Sequence, residues 1–168
     1  MKKLFLAFAA IIITAAGAIA QGTTFSLAGN VGAGTTQYFG LTAGGDLQVD
    51  IPATTGLKIT VSGGYENFAF KVPTLAGDVK GHSSFIPLLA GAKFNLGSKL
   101  YGHGQLGYSI STLKGGNSAF TYAPSLGFML SKNLDLSAKY LGLSFSNNNG
   151  GGGTLAAIVA RLAYTFGK

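Results

Sequence analysis

The sequence predicts an all-β protein, an eight-stranded antiparallel up-and-down transmembrane β-barrel, on three observations. Apolar and polar side chains alternate with a period of two along eight segments. The connections between those segments alternate between short and long. Charge is scarce and glycine abundant: 27 of 168 residues are Gly and 10% are charged, against about 7% and 25% in an average soluble domain. Glycine beside many Phe and Tyr, without helical periodicity, is a sheet composition. A soluble protein this poor in charge would be hard to keep dispersed.

The first residues predict export. Met1, Lys2 and Lys3 make a basic start, residues 4–13 an apolar run, and Ala18-Ile19-Ala20 the A-x-A pattern that precedes a signal-peptidase cut. The run is short for a spanning helix of about 20 residues. Residues 1–20 therefore read as a signal peptide and 21–168 as a single barrel domain. Removing 20 of the 168 residues leaves 148, with 10 basic and 5 acidic side chains, a net charge near +5. No cysteine is present, which excludes a lipoprotein junction, disulfides, thiol chemistry and a Cys-based metal site. Beyond the signal no apolar run approaches helix-spanning length, so insertion must use strands.

The predicted strands are residues 24–34, 38–51, 57–67, 85–94, 100–111, 119–130, 134–145 and 155–166. Most exceed the about 9–11 residues that a tilted strand needs to cross a bilayer. Connections 52–56, 95–99 and 131–133 are tight, whereas 66–84, 112–118 and 146–153 are longer, as in barrels with short periplasmic turns and long external loops. The first external connection, 35–37, is short and departs from the trend.

Parity sorts each strand into two faces. In the second, Leu41, Ala43, Leu47, Val49 and Ile51 oppose Asp46, Gln48 and Asp50; in the third, Leu57, Ile59, Val61 and Tyr65 oppose Lys58, Thr60, Ser62 and Glu66. In the fourth, Ile86, Leu88, Ala90, Ala92 and Phe94 oppose Lys93; in the fifth, Leu106, Tyr108 and Ile110 oppose His103 and Gln105. In the seventh, Leu134, Leu136, Ala138 and Tyr140 oppose Asp135, Ser137 and Lys139. The last carries Ala156, Ile158, Ala160, Leu162, Tyr164 and Phe166 on one row and Arg161 midway along the other. Four of the five acidic residues, Asp46, Asp50, Glu66 and Asp135, thus share the non-lipid face, as a closed barrel with a polar interior requires.

Two inward residues, Tyr101 and Leu141, depart from that polarity and point to a slip or bulge nearby. Leu155 and Val159 also face inward, where a narrow barrel packs its side chains. Aromatics gather at strand ends, as an interfacial girdle should. Phe25, Phe94, Phe128, Tyr164 and Phe166 fall at the periplasmic edge. Tyr38, Phe39, Tyr65, Phe68, Phe85, Tyr108, Phe120, Tyr122 and Phe145 fall at the outer one.

The Gly-rich run IPLLAGAKFNLGSKLYGHGQLGYS at residues 86–109 and the closing ARLAYTF at 160–166 resemble the small porin-like outer-membrane β-barrel domain family of Gram-negative bacteria. The resemblance covers the chain after the signal and implies an outer-membrane location. It also implies Leu162, Tyr164 and Phe166 as a C-terminal signal for the barrel-assembly machinery. Here Phe166 is followed by Gly167 and Lys168, whereas many such barrels end on the aromatic itself.

The candidate site is the lumen network: Asp46, Lys58, Glu66, Lys93, His103, Gln105, Asp135, Lys139 and Arg161. In a barrel of about eight strands the interior is only wide enough for side chains, so these residues read as a plug rather than a selectivity filter. A second set, Asp78, His82, Ser83 and Ser84, lies close in sequence, but catalysis needs a base within hydrogen-bond reach of the hydroxyl. The two histidines, His82 and His103, fall on different elements and make a poor metal site. Residues 150–153 are a glycine loop without the Lys-Ser/Thr of a phosphate cradle. Lys71, Lys80 and Lys114 fall in external loops, where lipopolysaccharide phosphates are candidate contacts, and the dispersed basic residues argue against nucleic acid.

The expected function is therefore a non-enzymatic outer-membrane barrel, a monomer without cofactor or metal, whose external loops serve surface interaction or envelope stabilisation. Its expected partners are outer-membrane lipids including lipopolysaccharide, and the assembly machinery. The alternatives are porin-type diffusion of small solutes, a rim-located enzyme, and a secreted lipocalin-like barrel with its apolar face inside.

Overall fold

The computed structural model describes residues 22–35, 39–74, 77–146 and 152–166. The signal peptide, Tyr38, Gly150, Gly151 and the two final residues lie outside them. The strands are β1 Thr24–Gly34, β2 Phe39–Thr54, β3 Leu57–Thr74, β4 Gly77–Asn95, β5 Leu100–Ser111, β6 Ala119–Tyr122, β7 Ser125–Met129, β8 Leu134–Ser146 and β9 Gly152–Phe166. Successive strands pair antiparallel, except that β6 and β7 do not pair with each other but together make one stave between β5 and β8. The ring of eight closes where β1 pairs with β9, from Phe25 opposite Phe166 to Gly34 opposite Ala157. Closure leaves no sheet edge inside the ring.

The predicted sixth strand is interrupted because Pro124 has no N–H to give the ladder. Around it the pairing persists: Ala123 N–H bonds the Gln105 carbonyl at 2.8 Å, and Tyr140 N–H bonds that of Pro124 at 2.9 Å. At one end of the ring the turns are tight. In the β2–β3 turn Gly56 has φ +83°, a left-handed conformation that favours glycine. In the β7–β8 turn the Ser131 hydroxyl accepts from the N–H groups of Asn133 and Leu134.

At the other end the predicted loop 66–84 is instead a β-hairpin. The pairing of β3 with β4 continues to Thr74 opposite Gly77, whereas β2 leaves β3 at Phe70 and β5 leaves β4 at Phe85. A two-stranded ribbon therefore stands above the barrel rim. Alternating residues sustain it, with Asn67, Ala69 and Lys71 opposite Ser84, His82 and Lys80.

The faces follow the period of two. Leu27, Val31, Leu41, Leu47, Ile59, Ile86, Leu106, Leu126, Leu136, Ile158 and Leu162 are exposed on the outer surface. Asp46, Gln48, Asp50, Glu66, His103, Gln105, Asp135, Lys139 and Arg161 are buried inside. Tyr101 and Leu141 also point inward, yet the ladders carrying them run without a register shift. The expected slip is absent there because each has a partner inside the barrel, Asp135 for Tyr101 and an apolar cluster for Leu141.

The interior also departs from the expected polar core. Its hairpin half is mainly apolar, built from Phe68, Phe85, Leu89, Leu141, Leu143, Leu155 and Val159 with Phe39 and Phe145 packed against it, and it encloses the hydroxyls of Thr42, Ser109 and Thr121. Phe68 and Phe85 therefore do not belong to the outer girdle. Their rings meet edge to face with centroids 6.0 Å apart, and Phe145 lies 5.8 Å from Phe85. The girdle at that end keeps Tyr65, Tyr108 and Phe120, which are exposed. At the turn end Phe94, Phe128, Tyr164 and Phe166 are exposed as expected.

Candidate functional site: the layered lumen

One cross-strand row sets the centre of the lumen. Arg161 on β9 lies opposite Asn30 on β1, Asn30 opposite Gly44 on β2, and Gly44 opposite Glu66 on β3. Because Gly44 has no side chain, Glu66 reaches across it and accepts from Asn30 Nδ2 at 2.7 Å. The same amide nitrogen donates to Asp46 Oδ2 at 3.1 Å. Arg161 holds Asp46 from the other side: Nε lies 3.2 and 3.0 Å from its two oxygens and Nη2 2.7 Å from Oδ1. Such bidentate charge-assisted pairs are the strongest and most directional polar contacts available to a buried carboxylate. Lys139 Nζ stands 3.9 Å from Asp46, and Arg161 Nη1 3.8 Å from Asp135.

Toward the turn end the polar layer continues. Tyr101 donates its hydroxyl to Asp135 at 2.6 Å. Lys93 Nζ donates to Asp50 at 2.9 Å and lies 4.8 Å from the Tyr101 ring centre. Gln48 donates to the second Asp50 oxygen at 2.6 Å. His103 Nε2 and the Thr60 hydroxyl are 2.8 Å apart, and Gln105 donates to Ser62 at 2.8 Å. Lys58 stands opposite Lys93 and lines the mouth.

Eight of the nine lumen residues read from the sequence are thus in this layer through the contacts given, and Lys58 edges it. Six further members of the layer lie outside that set: Asn30, Gln48, Asp50, Thr60, Ser62 and Tyr101, each bonded to another polar group of the layer. Their inward parity was visible; their partners, that of Gln48 excepted, lie on other staves and were not. The apolar half was equally open to parity, since Phe68 shares the face of Glu66 and Phe85 that of Lys93.

The second candidate set does not assemble. Asp78 pairs with Lys71 at 2.7 Å on the exposed hairpin. His82 lies four positions further along β4, about 13 Å at 3.3 Å per residue, beyond hydrogen-bond reach of Asp78. The Ser84 oxygen accepts from Tyr65 and Asn67, each at 2.8 Å, while Ser83 points to the other face of the strand. Lys80 faces Lys71 across the ribbon, and Lys114 is exposed on the β5–β6 connection. On the outer surface Leu162, Tyr164 and Phe166 form a continuous apolar row, with the two rings 4.9 Å apart.

This is the architecture of a transmembrane β-barrel of the outer-membrane type: closed ring, apolar exterior, side-chain-filled interior. No family model and no curated protein matches the sequence. Solved structures do match in fold. The attachment invasion locus protein Ail of Yersinia pestis, crystallised with the heparin analogue sucrose octasulfate, is 13% identical with a TM-score of 0.55, over 86% of this chain and 97% of that one. A de novo designed transmembrane β-barrel is 16% identical, TM-score 0.53, over 84% and 94%. The N-terminal β-barrel domain of Pseudomonas aeruginosa OprF is 13% identical, TM-score 0.51, over 85% and 97%.

Proposed function

We propose that this chain is exported by a cleaved signal peptide, residues 1–20, and resides in the outer membrane as a monomeric, non-enzymatic barrel. The tight turns and both termini of the barrel face the periplasm, and the β3–β4 hairpin faces the cell exterior. The observation that carries this reading is the inversion of polarity, with the large aliphatic side chains exposed on the outside and the ion pairs buried inside. A secreted lipocalin-like barrel would have the opposite arrangement.

The layered lumen favours a closed scaffold over a diffusion pore. An ion entering from the hairpin end would meet a packed cluster of Phe68, Phe85, Leu89, Leu141, Leu143 and Val159, in which the hydroxyls of Thr121 and Ser109 already bond each other. Beneath them, Asp46, Arg161 and Lys139 already satisfy one another. The outward-projecting hairpin then supplies surface interaction or envelope stabilisation, with Lys71, Lys80 and Lys114 placed to meet lipopolysaccharide phosphates. Leu162, Tyr164 and Phe166 serve recognition by the barrel-assembly machinery.

Fractionation and gel mobility test the location: the protein should sediment with outer membranes and migrate faster unheated than boiled. Recovery in the soluble periplasm would overturn it. Planar-bilayer recording tests the closed lumen, and reproducible stepwise conductance from the purified barrel would replace the scaffold reading with the pore. A variant with residues 70–81 replaced by a short turn should fold and insert normally yet lose any surface interaction of the parent.

A further inference from the structure

The turn end of the barrel holds a cavity of about 40 Å³ whose wall includes Thr24, Asp50, Lys58, Lys93, Lys132 and Asp135. At about 10–15 Å³ for each water position, it has room for roughly three waters or one ion of four or five atoms. The wall carries three ammonium groups and two carboxylates. Both carboxylates are already engaged, Asp50 by Lys93 and Gln48 with the Lys58 charge also acting on it, Asp135 by Tyr101 with Arg161 nearby. Lys58 and Lys93 stand directly opposite each other on β3 and β4, and like charges so placed repel. Thr24, only 5% exposed, has a hydroxyl without a hydrogen-bond partner among the described residues. A buried hydroxyl left in that state calls for a physical explanation.

We propose that this cup is a binding site for a small oxyanion, a phosphate or a carboxylate. Its oxygens accept from the Thr24 hydroxyl and lie among Lys58, Lys93 and Lys132. A cation would meet three ammonium groups, and an apolar guest would leave Thr24 unpaired. The apolar half of the lumen closes the cup behind the ion, so the site binds without conducting. Periplasmic supply of the ion rests on the orientation proposed above; the site itself does not.

Amide NMR of the full barrel refolded in detergent micelles tests this, with inorganic phosphate and acetate titrated separately and chloride at matched ionic strength as control. We expect saturable shifts at Thr24 and in the β7–β8 turn, with none in the hairpin. The tighter of the two ions identifies whether the natural ligand presents phosphate or carboxylate. In the Lys58→Gln/Lys132→Gln variant the affinity should fall at least about tenfold, the scale of losing charged hydrogen bonds. Thr24→Val, which keeps the shape of the strand, should also weaken binding. Equal shifts with chloride, shifts that never saturate, or unchanged affinity in both variants would overturn the site. Binding retained by a protein found in the soluble periplasm would leave the site standing and remove only the membrane reading.

Discussion

Arg161 on β9 and Asp46 on β2 are joined by three nitrogen–oxygen contacts between 2.7 and 3.2 Å, across the intervening strand β1. The pair therefore spans the seam at which the first and last strands close the ring. Both groups are buried, so removing one leaves a charge inside the barrel without its principal partner.

Arg161→Ala should accordingly destabilise the barrel by about 3–5 kcal/mol, the usual cost of breaking a buried pair from one side. Urea unfolding in lipid vesicles, followed by the heat-modifiable gel shift, measures it. Asp46→Leu combined with Arg161→Met should be less damaging than the sum of the single changes, because neither member of the bidentate pair is left facing the gap of the other. A stability unchanged in Arg161→Ala would show that the pair does not hold the seam.

Gly44 in the central row and Gly29 in the adjacent one make a matched test of that row. A Cβ at Gly44 would collide with the Tyr65 carbonyl and the Glu66 carboxylate, whereas one at Gly29 meets nothing within 4 Å. Gly44→Ala should therefore cost about 1–3 kcal/mol by overpacking, and Gly29→Ala should be close to neutral in the same unfolding assay. The reverse order of stabilities would be incompatible with this row.

The apolar half of the lumen predicts that Phe68→Ala and Phe85→Ala each lose about 3–5 kcal/mol, as large-to-small changes in packed cores do. Had these rings formed part of the lipid-facing girdle, the loss would be far smaller. Thermal unfolding in micelles separates the two outcomes.

Leu47 is exposed beside the inward-facing Asp46 and so sits near mid-height on the outer wall. Leu47→Arg should cost about 2–4 kcal/mol in a bilayer, the penalty for charge on a barrel's lipid face at the midplane. The same variant in a soluble barrel would be nearly neutral, so equilibrium unfolding in vesicles reads the membrane assignment directly.

Much of the fold was legible because a strand's two faces are set by neighbouring residues alone. Alternation identified β1 and β5 with the bounds observed, and it located Arg161 inside and Leu162 outside without any knowledge of their neighbours. Nearness to strand ends is the weaker guide: it puts Phe68 and Phe85 in the girdle, whereas parity puts them inside, where they are. The hairpin was hidden for a different reason. Residues 68–84 mix Gly, Pro, Lys and Ser in a way that reads as loop chemistry, yet cross-strand pairing sustains the ribbon. The interruption of the sixth stave is carried by Pro124, whose missing N–H is a local property, although the alternation alone runs on through it.

The sequence by itself determined that this chain builds a closed sheet with apolar residues outside and charge inside, since both follow from a period of two and from the cost of unpaired strand edges. Only the tertiary structure decided which inward residues meet. Arg161 finds Asp46, Tyr101 finds Asp135 and Glu66 reaches Asn30 because the stagger of eight staves brings distant positions to one height. Stagger is a property of the closed ring, fixed by registers summed around the whole circumference, and no single strand encodes it. The division of the lumen into a polar cup and an apolar cap arises from the same sum.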